Sequence, residues 1–167
     1  EAAVVAHVGD SRVYLIRDRQ AHQLTEDHSL VWHMLKTGRL TREEAASASY
    51  ANVITRSVGT KPTVRVETLF VECMAYDRFL LCSDGSHNYR TWEEELAQLS
   101  ARWPLEGLVT ACITLANTSG GSDNVAVVAV QVDAVQRTGG EAGVSVTRKV
   151  EALKRIRLAT EAEWRAN

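Results

Sequence analysis

No apolar run in this chain approaches the roughly 18 residues needed to span a bilayer, so no membrane-spanning segment is expected. Cysteine is scarce: Cys73, Cys82 and Cys112 lie far apart, each beside apolar residues. An odd number without paired spacing argues against a disulfide framework or a thiolate metal site. Buried thiols acting as small hydrophobes, in a cytoplasmic protein, are the expectation. Neither sign of charge dominates: 19 Lys and Arg stand against 21 Asp and Glu, for a net −2. That balance gives no reason to expect nucleic acid or a membrane surface as partner. Glu1-Ala2-Ala3 offers no initiator Met, no basic leader and no signal-type core, and a strand-like run begins almost at once. The expectation is an internal segment of a longer protein. There are no internal repeats.

What is present is an ordinary core-forming composition, 45% hydrophobic and 24% charged over 167 residues, enough for one domain with an appendage. Its sharpest feature is a recurring junction of apolar run, acid and glycine. Phe79-Leu80-Leu81-Cys82 delivers Asp84 beside Gly85. Gly120-Gly121-Ser122 presents Asp123-Asn124 just before the apolar run Val125 to Val132. Ala2 to Val8 runs into Gly9-Asp10-Ser11-Arg12.

In chain order, residues 2–8, 13–17 and 22–24 read as strands, the last two joined by a hairpin turn at Asp18-Arg19-Gln20. Thr25-Glu26-Asp27 is expected to open a helix carrying Leu30, Val31, Met34 and Leu35, closed by Gly38. Thr41 with Glu44 makes a capping box for a short polar helix, and the segment through Asn52 is a candidate flap. Asn52 to Val58 reads as a short strand or turn. Thr63 to Val71 alternates as a half-buried strand. Thr91 with Glu94 makes another capping box for a helix through Leu99, and Pro104 suits the first turn of the next, with Leu105, Leu108, Val109, Cys112, Ile113 and Ala116 in one stripe. Asn124 to Val132 is apolar enough to predict a central strand. Residues 1–134 form the domain, 135–147 a glycine-containing linker, and 148–167 a basic helical tail, possible lead-in to a further domain. Hairpin-length connections predict α+β with largely antiparallel sheet.

An acid at a strand end is held by the stiffest part of a fold. Several converging there repel one another, and burial raises the cost of their charge. A divalent cation relieves both, and an all-oxygen donor set selects magnesium or manganese over zinc. The plainer alternative is that each Asp caps a turn, as Asp beside Gly often does.

Val8-Gly9-Asp10-Ser11-Arg12-Val13-Tyr14-Leu15 resembles the Gly-Asp-Ser-Arg strand pair of the metal-dependent protein phosphatases, the type 2C serine/threonine family. Leu24 to Leu30 and Asn52 to Gly59 resemble segments bounding that family's flap. Leu81-Cys82-Ser83-Asp84-Gly85 resembles its Ser-Asp-Gly motif, and Gly120 to Val125 its Asp-Asn motif. The motifs fall in family order over residues 2–132, corresponding to the C-terminal two-thirds of a catalytic domain. The resemblance implies a sandwich of two mainly antiparallel β-sheets flanked by helices, in α-β-β-α layers with the N-terminal part missing. It also implies Mg2+ or Mn2+, two or three ions in the complete site, with Asp84 and Asp123 ligating the core centre. Asp10 would serve a more weakly held third ion, and Asn124 would stand behind the ligands. The partners it implies are phosphoserine and phosphothreonine proteins, acted on by a monomer.

The family's phosphate-binding Arg and its Asp-Gly-(His/Met)-Gly-Gly motif, whose Asp bridges two metals, do not occur here. The chain alone is therefore expected to be inactive and its parent active. Ser86-His87-Asn88-Tyr89 replaces the acidic ending that often follows Ser-Asp-Gly, and His87 is read as a surface or turn residue. A non-catalytic phosphatase-like module is one alternative. A serine esterase is another: Gly9-Asp10-Ser11 and the Asp-x-x-His spacing of Asp84-Gly85-Ser86-His87 would make Ser11 nucleophile and His87 base. Against it, Arg12 to Arg17 alternates like a strand where those esterases place a helix.

Overall fold

Asp18 and Arg19 both adopt left-handed backbone, at φ 50° and 62°, and together make the two-residue turn that joins antiparallel strands. They link β2 (Arg12–Arg17) to β3 (Gln20–Gln23), with Arg17 opposite Gln20. The computed structural model describes residues 2–46, 48–87, 92–121, 123–135 and 146–153. Before this hairpin runs β1 (Ala2–His7). After it come α1 (Leu30–Lys36), α2 (Arg42–Ala46), β4 (Val64–Glu72) and β5 (Arg78–Cys82). A single 3-10 turn at Asp84–Ser86 precedes α3 (Trp92–Arg102), α4 (Leu105–Thr118), β6 (Val127–Gln131) and β7 (Val146–Leu153).

The strands form two antiparallel sheets, ordered β1-β4-β7 and β3-β2-β5-β6. Period-2 alternation splits β2 between two cores, one on each face. Val13 and Leu15 join Leu24, Leu69, Val71 and Phe79 between the sheets. Tyr14 and Ile16 join Leu80 and Cys82 under Trp92, Leu96, Leu108 and Cys112 of the two long helices. Tyr14, Leu15, Leu80, Leu96 and Leu108 are wholly buried, each contributing about 1.5–3 kcal/mol. Burial pushes the thiols of Cys82 and Cys112 up to about 12 and about 11, so both are inert apolar filler. The α+β, two-sheet expectation holds.

Three local expectations are corrected. α1 begins at Leu30, because Ser29 supplies the cap by accepting the Trp32 N–H at 3.2 Å. Thr25 and Asp27 are spent elsewhere, on the Val13 N–H and on Arg12. Asn52 to Val58, expected as a short strand or turn, is turn at both ends with one isolated bridge, Ile54 to Ser29. Among the described residues β6 pairs with β5 alone and so lies at the edge of its sheet; Val127 and Ala129 pack on helices, while Val128 and Val130 are exposed. Residues 146–153 are a strand on β4, Val146 opposite Val71, and not the start of a helix. An open strand edge satisfies its backbone by pairing, and this overrides the helical look of the basic stretch. The linker at 136–145, the tail beyond Leu153 and the Thr91 capping box lie outside the described residues. The Thr41 box is made: Glu44 N–H donates to Thr41 Oγ1 at 3.2 Å and Thr41 N–H to Glu44 Oε2 at 2.8 Å.

Candidate functional site

Cys82 pairs with Arg12 on one side and Val127 on the other, so the start of β2, the end of β5 and the start of β6 lie abreast. The loops carrying Asp10, Asp84 and Asp123 therefore share one edge of the sandwich. The Asp84 and Asp123 loops are stitched together. Ser83 Oγ donates to the Asn124 carbonyl at 3.1 Å and accepts the Ala126 N–H at 3.0 Å, while Ser83 N–H donates to Ala126 O at 3.0 Å. A Cβ on Gly85 would sit 2.5 Å from the Asn124 carbonyl oxygen, so this approach requires glycine.

Each loop also satisfies the plainer reading. Asp84 Oδ1 accepts the Gly85 N–H at 3.0 Å, and Asp123 Oδ1 accepts the Asn124 N–H at 2.7 Å. One such bond leaves most of a carboxylate's lone pairs available. Asp10 is half-buried, and burial first, then the Asp84 and Asp27 carboxylates, push its carboxyl above the ordinary value. Arg12 opposes this only in part, and an oxygen-ligated divalent cation suits both the donor set and the charge.

A tighter donor group lies just behind. His7, His28 and Glu67 place ligand-type atoms within 4.8 Å of one another, the only such trio among the described residues. Sequence reading missed it, since its members come from β1, the loop before α1 and β4. The two imidazoles stack at 4.5 Å with an 11° interplanar angle. Parallel rings aim their in-plane lone pairs along parallel planes, so a single ion cannot lie in both. The group is a buried charge cluster. Burial first, then mutual repulsion for His7 and the Arg56 guanidinium for His28, lower both imidazole pKa values; Glu67 partly opposes this. The unfolded chain, titrating near 6.5, takes up these protons before the folded one does, so stability is expected to fall as pH drops below about 6.5. His7→Phe keeps the stacked ring and removes one titrating group, and denaturant unfolding at pH 7 and pH 5 should show a smaller loss than wild type. An equal loss would remove His7 from the account.

His87 is not a surface residue: it is 5% exposed, and its Nε2 lies 3.2 Å from the Asp10 carbonyl oxygen. Burial, with the nearby Arg12, pushes its pKa down to about 4, so it is neutral at pH 7. With Nε2 donating to that carbonyl the remaining lone pair is on Nδ1, which is buried and makes no hydrogen bond to Ser11 or any other described residue, and Ser11 leads into a strand, so the esterase arrangement is not formed. Arg12 grips Asp27 with two bonds, Nε to Oδ1 at 2.9 Å and Nη2 to Oδ2 at 2.7 Å, and Nη1 donates to the Tyr14 hydroxyl at 3.2 Å. That fork ties the Gly9-Asp10 turn to the loop before α1.

The model of the family described as protein phosphatase 2C matches residues 1–31. The serine/threonine phosphatase stp of Listeria monocytogenes serotype 4b (strain F2365) is 40% identical over 134 residues, 80% of this chain and 53% of its own length. A crystal structure of a bacterial serine phosphatase superposes with TM-score 0.75 at 33% identity, over 82% of this chain and 56% of that one. The catalytic domain of the serine threonine protein phosphatase PstP, in complex with 2 manganese ions, matches with TM-score 0.64 at 33% identity, over 79% and 54%. The chain thus spans about half the length of the curated relatives it matches.

Proposed function

Because the chain belongs to the protein phosphatase 2C family, we propose that the complete protein is a metal-dependent serine/threonine phosphatase, and that this chain supplies one wall of its metal centre. The observation that carries the reading is the Ser83–Asn124 stitch, which holds Asp84 and Asp123 on touching loops at the strand ends. Asp84 and Asp123 would hold Mg2+ or Mn2+, and Asp10 a further ion, two or three in the complete site. Bound there, the ions supply a water of lowered pKa and a countercharge for the phosphate. The chain's own residues do the holding. The β2–β5–β6 register fixes the loops, Gly85 permits their approach, and Arg12 anchors the Asp10 turn through Asp27. The bridging Asp and phosphate-binding Arg implied by the sequence resemblance would come from the rest of the protein. One relative of this chain is named a serine/threonine phosphatase, another a protein phosphatase, and one solved relative carries manganese.

The test is hydrolysis of phosphoseryl and phosphothreonyl peptides by the complete protein. Turnover should require Mn2+ or Mg2+, vanish in chelator and return when manganese is added. Chelator-resistant turnover would sink the metal mechanism. Partner binding without turnover at saturating metal would instead make the protein a non-catalytic module.

A further inference from the structure

Asp10 hangs on a turn whose backbone is gripped from both sides by histidines. Gly9, at φ 112°, donates its N–H to His28 Nδ1 at 3.0 Å, and its carbonyl accepts the His28 N–H at 2.8 Å. One residue thus takes both backbone polar groups of Gly9, the residue immediately before Asp10. On the far side His87 Nε2 meets the Asp10 carbonyl at 3.2 Å. His28 is itself over-determined. Its carbonyl accepts the Thr55 N–H at 2.7 Å, its ring stacks on His7, and its side chain is 6% exposed. The Gly9 bond assigns the ring proton to Nε2, which faces Glu67 Oε2 at 3.5 Å. Arg56 Nη1, 2.8 Å from the same nitrogen, can donate to it only in the other tautomer, with the proton on Nδ1, and that tautomer gives up the Gly9 bond.

We infer that His28 is a positioning residue for Asp10: its Nδ1 fixes the Gly9 peptide, and through it the direction in which the Asp10 carboxylate meets a divalent cation. The inference rests on the reading of Asp10 as a metal ligand. It makes His28 matter for the affinity of the Asp10-dependent ion more than for turnover once that ion is bound. The alternative is that His28 only fills space against His7.

Asparagine and glutamine separate the two. Asn places its amide oxygen near the position of Nδ1 and can accept the Gly9 N–H, whereas Gln extends its amide toward the position of Nε2 and cannot. In the complete protein, His28→Gln and His28→Leu should each raise the manganese concentration for half-maximal activity about tenfold, the loss of one buried hydrogen bond. Maximal turnover should stay within about twofold, and His28→Asn should restore the wild-type metal requirement. Manganese binding by EPR, without substrate, should show the same weakening of one class of site. A defect in His28→Asn as large as in His28→Gln, or unshifted binding in both, overturns the inference. Wild-type protein that binds manganese in the EPR titration but lacks phosphatase activity would refute the function while still testing His28. Wild-type protein that binds none refutes both.

Discussion

Asp84→Asn in the complete protein is expected to cut metal-dependent phosphatase turnover by about a thousandfold or more, with the fold intact. The substitution is nearly isosteric, and the amide oxygen can still accept the Gly85 N–H that Asp84 Oδ1 takes at 3.0 Å, so the turn and its stitch to Asn124 survive. What goes is the anionic oxygen. A metal-supplied charge is worth several kcal/mol at the transition state, and about 1.4 kcal/mol is a factor of ten. The same change removes a neighbour that helps push the Asp10 carboxyl up, so the metal-free variant should be as stable as wild type or slightly more so. That split between lost turnover and kept stability is the signature of a functional carboxylate. Asp123→Asn should behave alike. Turnover within tenfold of wild type at saturating manganese, measured beside a thermal melt, would return Asp84 to the role of turn cap.

The site's acids were legible because each is announced locally. An apolar strand, a turn and a glycine sit within a few residues of Asp10, Asp84 and Asp123, and the two-residue turn at Asp18-Arg19 and the Thr41 box are equally local. The parts that hold those acids in place were not legible, because they are long-range. Arg12 meets Asp27 across 15 residues, Gly9 meets His28 across 19, and Ser83 meets Asn124 across 41. His87 does lie in a turn, but its burial is long-range for the same reason. A polar turn sequence says nothing of the Asp10 loop that covers it. Apolar content also could not separate a central strand from an edge. Val127 to Gln131 packs one face on helices and leaves Val128 and Val130 open, yet reads like the fully paired Phe79 to Cys82. Nor does basic composition choose between helix and strand for 146–153 when a neighbouring edge awaits a partner.

A second long-range contact ties the two sheets at the end opposite the site. Asp77, 1% exposed, accepts Arg17 Nε at 2.8 Å, Arg17 Nη2 at 2.6 Å and the Met74 N–H at 2.7 Å. Arg17 Nη2 also donates to the Glu72 carbonyl at 2.8 Å, so the pair joins the end of β2 in one sheet to the end of β4 in the other. Asp77→Ala takes away the carboxylate that receives two Arg17 nitrogens and the Met74 amide, which should cost about 3–5 kcal/mol. For a domain of this size that is roughly 2–4 °C of melting temperature per kcal/mol. Arg17→Met in the Asp77→Ala background should recover a large part of the loss, because a buried cation that has lost this carboxylate, and not the missing attraction, is the main cost. Denaturant unfolding of the two singles and the double closes the cycle. If the double falls as far as the sum of the singles, the pair is not coupled, and the bond from Met74 to Asp77 carries the effect.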